Sequence, residues 1–228
     1  WLLNCLLNKH ADAMDNYPEP VVLPREEGDR ADATVLSAVL PVILEQNGFE
    51  QTYSDMWWQK LKSGAGILGV FWNPSKQGGQ GDVDVRRVDI LNLFWEPGVT
   101  DIQDSRNVFH VELRDNEDLL ARYPQLEGKL GQGADRPQVY VYDDAIDTSK
   151  KTAMVDWYYK RDGLLHYAKI VNGEVLYDSQ EDPACAGRGF YDHGQYPFVF
   201  DALFSCEGMP AGFGYLDVCK EPQMYIDR

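Results

Sequence analysis

Histidines, carboxylates, cysteines and glycine pairs are the groups from which this sequence could build a reaction centre. His110 sits in an alternating run, with Val108 and Glu112 on its side and Phe109, Val111 and Leu113 on the other; His166 sits in a second such run. A lone histidine on a strand is ordinarily a packing residue, and catalysis would need a nucleophile or carboxylate placed beside the ring. No Gly-x-Ser-x-Gly elbow, His-Glu-x-x-His helix or His-x-Glu with Cys-x-x-Cys pattern occurs. Gly64-Ala65-Gly66 imitates a phosphate loop, but it precedes a strand, lacks the Lys-Ser/Thr ending and opens no helix.

Metal chemistry finds equally little. Asp82/Asp84 and Asp101/Asp104 lack the sixth-position glycine and terminal glutamate of a calcium loop, and read as solvated turns. Cys185, His193, Cys206 and Cys219 could be drawn as a zinc set, but their gaps match no familiar site. The four cysteines include no C-x-x-C pair and Cys5 is remote, which favours buried thiols in a reduced compartment over a disulfide framework. The expectation is therefore no catalytic, cofactor or metal residues, and no enzyme. Aromatic residues offer a different chemistry. Trp57, Trp58, Trp72, Trp95 and Trp157, with thirteen tyrosines, could line a carbohydrate- or peptide-binding platform. Trp157 and Tyr159 share one strand face while Tyr158 points to the other; if the core covers one face and a neighbouring subunit the other, no ligand is needed. Core and interface use is the favoured reading, and the ligand-binding module is the alternative.

The elements that would hold these residues follow from period and punctuation. Leu3, Leu6, Leu7, His10 and Met14 share one face of a helix that cannot pass Tyr17-Pro18-Glu19-Pro20. Val21–Pro24 should be an extended strand or edge segment. Val35, Leu36, Val39, Leu40, Ile43 and Leu44 mark a second helix, capped by Asp29 or Asp32, kinked at Pro41 and stopped by Asn47-Gly48. A third, about Thr52 to Lys62, turns Tyr53, Met56, Trp57 and Leu61 inward and ends at Gly64. The period then changes to two. Ala65–Trp72 and Asp82–Asp89 form a hairpin with a long loop. Leu91–Gly98 leads over a Trp95-Glu96-Pro97-Gly98 corner into the strand around His110, so that Gly81–Pro124 reads as two strands over a fixed corner. A short helix spans 116–122, with Asp115 its cap, and Glu127–Arg136 is a Gly-rich connection. Strands follow at Val139–Tyr142, Thr152–Lys160, Leu164–Val171, Glu174–Asp178 and Tyr196–Phe200. Asp162-Gly163 and Asn172-Gly173 supply primed hairpin turns. Gly208–Gly214 reads as a loop and Leu216 as the start of a last helix, disturbed by Pro222.

Bulk composition bounds the class. The chain has 228 residues, 44% hydrophobic and 25% charged, enough for one large or two small domains with real cores. No apolar run approaches the ~18–20 residues that span a bilayer. Trp1–Leu7 shows no basic start or cleavage site of a leader. Opening inside a helical pattern and stopping on Ile226-Asp227-Arg228, the chain reads as a piece of a longer protein. With 21 basic against 37 acidic residues, a formal charge of −16, it lacks the basic stripe that grips phosphates. Arg86-Arg87 is one of few adjacent basic pairs. An acidic surface is still compatible with DNA sliding past without sticking.

The order of motifs resembles the wing region of portal proteins of tailed bacteriophages. The segments that carry the resemblance are Leu61–Pro74, with Gly64-Ala65-Gly66 and Trp72, then Val88–Gly98, and Asp101-Ile102-Gln103-Asp104-Ser105-Arg106. Tyr123-Pro124, Tyr191–Val199 and Gly208–Gly214 running into Gln223 and Ile226-Asp227 complete it. Together they cover about Asn16 to Asp227. The resemblance implies an α+β fold, N-terminal helices followed by antiparallel hairpin and meander sheets. Its parts would be a helical 1–64, a β-rich 65–215 with a short helix near 116–122, and 216–228 as the start of a helix toward a missing stem. It also implies a structural subunit of a dodecameric ring at a capsid vertex, through which double-stranded DNA is packaged and ejected. Terminase, capsid or scaffold proteins and tail adaptors would be partners, with no membrane and no cofactor. The location would be the virion, and the host cytoplasm during assembly. A closing ring joins two different faces of each subunit. Arg86, Arg87, Arg106 and Trp157 are the candidate interface residues, the arginines pairing with acidic residues of the neighbour.

Overall fold

A computed structural model describes residues 1–130 and 147–227. The expected strand Val139–Tyr142, and the 131–136 part of the Gly-rich connection, lie outside the described residues. The fold is α+β, with antiparallel pairing in every sheet described. It divides into two compact units, Trp1–Val88 with Pro197–Arg228, and Asp89–Tyr196. The sequence-based division at 64/65 and 215/216 follows changes of secondary structure; the compact units are bounded elsewhere, because the chain returns to the first unit at Pro197.

The first unit begins with α1 (Leu2–Asp15), α2 (Arg30–Gln46) and α3 (Phe49–Ser63). In α1 the buried residues are Leu6 and Ala13, while Leu3 and Leu7 are exposed, so the inward face is rotated from the expected one. Val21–Pro24 forms no strand; Val22 is instead tied to Ser37 of α2 through both its backbone groups. α2 is continuous through Pro41 and stops at Asn47, with Gly48 in the left-handed region at φ 58°. Asn47 does more than end the helix. Its side-chain amide donates to the Ile43 and Val83 carbonyls and its Oδ1 accepts the Val85 N–H, tying α2 to the next hairpin. α3 buries Met56, Lys60 and Leu61. The buried lysine is satisfied by Asp201 at 2.6 Å and lies 4.2 Å over the Trp57 ring.

β1 (Ala65–Asn73) pairs with β2 (Asp82–Arg87) on one side, and on the other with β8 (Phe198–Ala202), far along the sequence. Ala65, Ile67 and Phe198 are buried on one sheet face. On the other, Met56 of α3 lies so close to Gly66 that a Cβ there would stand 2.0 Å from its sulfur. β9 (Phe204–Cys206) and β10 (Met209–Phe213) make a two-stranded hairpin where the sequence reading placed a loop. The glycines and Pro210 hide this strand from a propensity argument, and its register is irregular. α5 (Tyr215–Ile226) carries Pro222 inside it, and Asp217 accepts the Gly214 N–H at its start.

The second unit is a five-stranded meander in the order β3-β4-β5-β6-β7. These strands are β3 (Leu93–Trp95), β4 (Asn107–Asp115), β5 (Lys151–Arg161), β6 (Leu164–Val171) and β7 (Glu174–Asp178). The turns at Asp162-Gly163 and Asn172-Gly173 have positive φ at both residues, as primed turns require. α4 (Asn116–Arg122), with no side-chain capping hydrogen bond from Asp115, and the turn after it cover one sheet face with Leu119 and Leu126 against Met154 and Val171. Leu126 is fully buried, which stabilises the unit by roughly 2 kcal/mol. The Gly81–Pro124 stretch does contain two antiparallel strands over a corner, β3 and β4, with Phe94 opposite Phe109. Its entering run, however, is β2, paired with β1 in the first unit.

Candidate subunit interface

The titratable residues of the meander form a closed network. Within the sheet register Asp156 of β5 stands between His110 of β4 and Lys169 of β6. Tyr167 donates its hydroxyl proton to Asp156 at 2.5 Å, Lys169 lies 3.4 Å from the same carboxylate and His110 3.9 Å from its other oxygen. Burial penalises the charged carboxylate, but His110, Lys169 and Tyr167 outweigh it and hold Asp156 below the ordinary value. Burial and the Asp156 charge drive the Tyr167 hydroxyl far upward. An aspartate held ionised and a tyrosine held protonated make neither a base nor an acid poised near neutral pH. Lys169 also lines a cleft of about 590 Å³ with Arg114, Asp118 and Arg122. There Arg114 pairs with Glu112, and Lys169 with Asp156, so its cations are largely balanced. His166 lies on the opposite sheet face, stacked on Tyr159 at 5.2 Å. Among the described residues no group of three or more His, Cys, Asp and Glu could hold a metal ion.

The four interface candidates divide between the two units. Arg86 and Arg87 belong to the first unit, and Arg106 and Trp157 to the second. As neighbours on β2, Arg86 and Arg87 point to opposite sheet faces. Arg86 sits 4.7 Å over the Phe71 ring, held there by a cation–π contact. Arg106 is gripped inside its own chain. Its guanidinium and its backbone N–H both donate to Glu96, with Nε at 3.1 and 3.2 Å from the two oxygens. Hydrogen bonds from Arg106 hold the Glu96 carboxyl below the ordinary glutamate value. This pair closes the Pro97-Gly98 corner, which buried Ser105 completes by accepting the Glu96 N–H and donating to the Asn107 carbonyl. Tyr196 then donates its hydroxyl to the Ser105 carbonyl at 2.7 Å. Asp101, the first of the acidic pair, accepts the Gln103 N–H and caps a short turn.

Trp157 stands in a ladder of rings across β4 and β5, which His166 of β6 extends. It stacks on Phe109 at 5.8 Å and on Tyr159 at 4.4 Å, and its indole N–H donates to Asn107. The rings face one another rather than opening a flat platform. Tyr158 on the other side packs against Tyr167 in the core.

Two apolar surfaces are exposed on the first unit. In α2 the inward residues are Ala33, Ser37, Leu40 and Leu44, while Val35, Leu36, Val39 and Val42 form an outward stripe, 42–59% exposed. On the sheet, Val70, Trp72 and Val199 share a face and are 42–57% exposed. Contiguous apolar surface of this kind marks an interaction site. The signal in the sequence was the breadth of apolar residues around α2, too wide for one contact face.

The family model for the phage P22-like portal protein matches residues 11–196, which takes in all of the second unit and most of the N-terminal part of the first. No curated protein matches the chain.

Proposed function

Because the chain belongs to the phage P22-like portal protein family, a structural family of the capsid vertex, we propose that it is the wing part of a ring-forming portal subunit. In this reading twelve copies of the complete protein close a ring, double-stranded DNA passes through the centre during packaging and ejection, and terminase and tail adaptors dock on the ring. The family match over residues 11–196 carries the reading.

Three features support it. A heterologous ring contact needs two different complementary patches on each subunit, and the α2 stripe and the Val70–Trp72–Val199 patch are two such surfaces on one unit. Arg86, Arg87, Arg106 and Trp157 remain candidates for contact with a neighbour, Arg87 lying on the sheet face of that second patch and Trp157 in its aromatic ladder. The formal charge of −16 repels the phosphate backbone, which suits a conduit that must not hold DNA. In the meander Asp156, Lys169, Tyr167 and His110 are joined in one network that stabilises the sheet. No helix among the described residues is long and apolar enough to cross a membrane. Electron microscopy of the protein expressed from its complete reading frame should show closed rings with a central channel. A strictly monomeric particle at high concentration would overturn the reading.

A further inference from the structure

Tyr17-Pro18-Glu19-Pro20 ends α1 and sends the chain back along α2 as a strap. Pro18, Pro20 and Pro24 remove backbone donors and restrict φ, so the strap cannot coil into a helix. Ser37 holds it at one point, its Oγ accepting the Val22 N–H at 2.9 Å and donating to the Val22 carbonyl at 3.3 Å. The residues on either side, Val21 and Leu23, are 70% and 79% exposed. Their backbone groups pair with nothing among the described residues. An unpaired N–H and C=O edge is a template for another chain.

Between the strap, α2 and the start of α3 lies an open cleft of about 1090 Å³. This exceeds the ~300–1,000 Å³ of most small-molecule sites. Its walls are apolar and stiff: Tyr17, Pro20 and Val21 from the strap, Pro41 and Leu44 from α2, and Phe49 from α3. Tyr17 is fixed against Tyr53 at 5.3 Å and Phe49 at 6.3 Å. The charge on the cleft has one sign. Glu19, Glu45 and Glu50 line it, no lysine or arginine does, and none of the three forms a salt bridge among the described residues. Burial and the Glu50 carboxylate both push the Tyr17 hydroxyl above its ordinary value.

We propose that this cleft docks a basic, apolar-rich peptide segment of a partner protein, its lysines or arginines meeting Glu19, Glu45 and Glu50 and its apolar side chains meeting Tyr17, Pro41 and Phe49. The carboxylates exclude nucleic acid, whose phosphates they repel. The apolar wall makes the site more than an acidic patch, since a purely charged peptide would leave it wet. The exposed edge of the strap adds backbone bonds that favour an elongated chain over a compact ligand. This assignment does not depend on ring formation.

The test is fluorescence anisotropy of the 228-residue chain with two labelled hexapeptides, one alternating lysine with leucine and phenylalanine, the other alternating lysine with serine. The lysine–apolar probe should bind about tenfold more tightly than the lysine–serine probe. The triple variant Glu19→Gln/Glu45→Gln/Glu50→Gln should lose about tenfold in affinity, whereas neutralising the exposed Glu117, Glu181 and Glu207 should change it less than about twofold. Equal losses in the two variants, or equal binding of the two probes, would reduce the effect to the net charge of the chain and overturn the proposal. The probe comparison uses the unsubstituted chain, so it decides the question even if a variant folds poorly. Concentration-dependent self-association that the triple variant abolishes, without probe binding, would assign the cleft to a second copy and also overturn it. Loss of rings in the complete protein with probe binding intact would sink the portal reading alone.

Discussion

Asp156 is the residue on which the meander's interior electrostatics turn. It receives the Tyr167 hydroxyl, and faces Lys169 and His110 across the neighbouring strands. Removing its charge leaves Lys169 without its counter-charge beside the core, so Asp156→Asn should cost about 3 kcal/mol in chemical denaturation. The pH dependence has a definite sign. A carboxyl whose folded pKa is lowered stabilises the fold above its unfolded value, near 3.8 for aspartate, and loses that contribution as pH falls through the folded value. The stability gap between the unsubstituted chain and Asp156→Asn should therefore be constant from neutrality to about pH 5 and shrink below 3.8. A gap that stayed constant to pH 2 would refute the network's role. None of this was visible as such in the sequence. His110 stood out by type, but Asp156 and Lys169 become its neighbours only through the β4-β5-β6 register. The same is true of Arg106, which Glu96 holds across the corner.

At the level of elements, the join between α3 and β1 admits a second backbone at close range. Gly64 has φ 89°, and its absent side chain leaves room for the Phe213 backbone of β10, which a Cβ would approach to 2.3 Å. Gly212 and Gly214 make the reciprocal approach, against the Phe204 and Lys62 carbonyls. The glycine that ends a helix here also admits a second backbone, so Gly64→Ala must pay for both strain and collision. It should destabilise by about 3 kcal/mol or more in urea titration, well beyond the ~1 kcal/mol of a simple left-handed cap. Gly173→Ala, also at positive φ but with nothing within 4 Å, should show only the smaller figure. Local punctuation made α3, the β1–β2 hairpin and both meander turns legible, because glycine, proline and period act over a few residues. β9 and β10 were missed because their pairing is short and their composition is that of a loop. The face of α1 that turns inward differs from the expected one, and that of α2 was not legible, because a helix with apolar residues on more than one side does not state which side meets its own fold.

For the whole molecule the exposed α2 stripe matters most. Val39→Asp lies on the outward face, so the fold of the chain should change in stability by less than about 0.5 kcal/mol. In the complete protein the same substitution should abolish or weaken ring assembly in sedimentation velocity; unchanged assembly would remove α2 from the subunit contact. The sequence by itself determined the α+β class, the helix-then-strand order, the meander and the family resemblance, since these rest on periodicity and on motifs in linear order. Tertiary structure alone decided three further matters. It joined β8 to β1, placing the end of the chain beside its beginning. It parted the Gly81–Pro124 stretch, so that β2 serves one compact unit and the β3–β4 corner the other. And it chose which apolar residues face outward. Each depends on partners distant in sequence, whose contact is specified by the summed packing of both sides and by no local pattern.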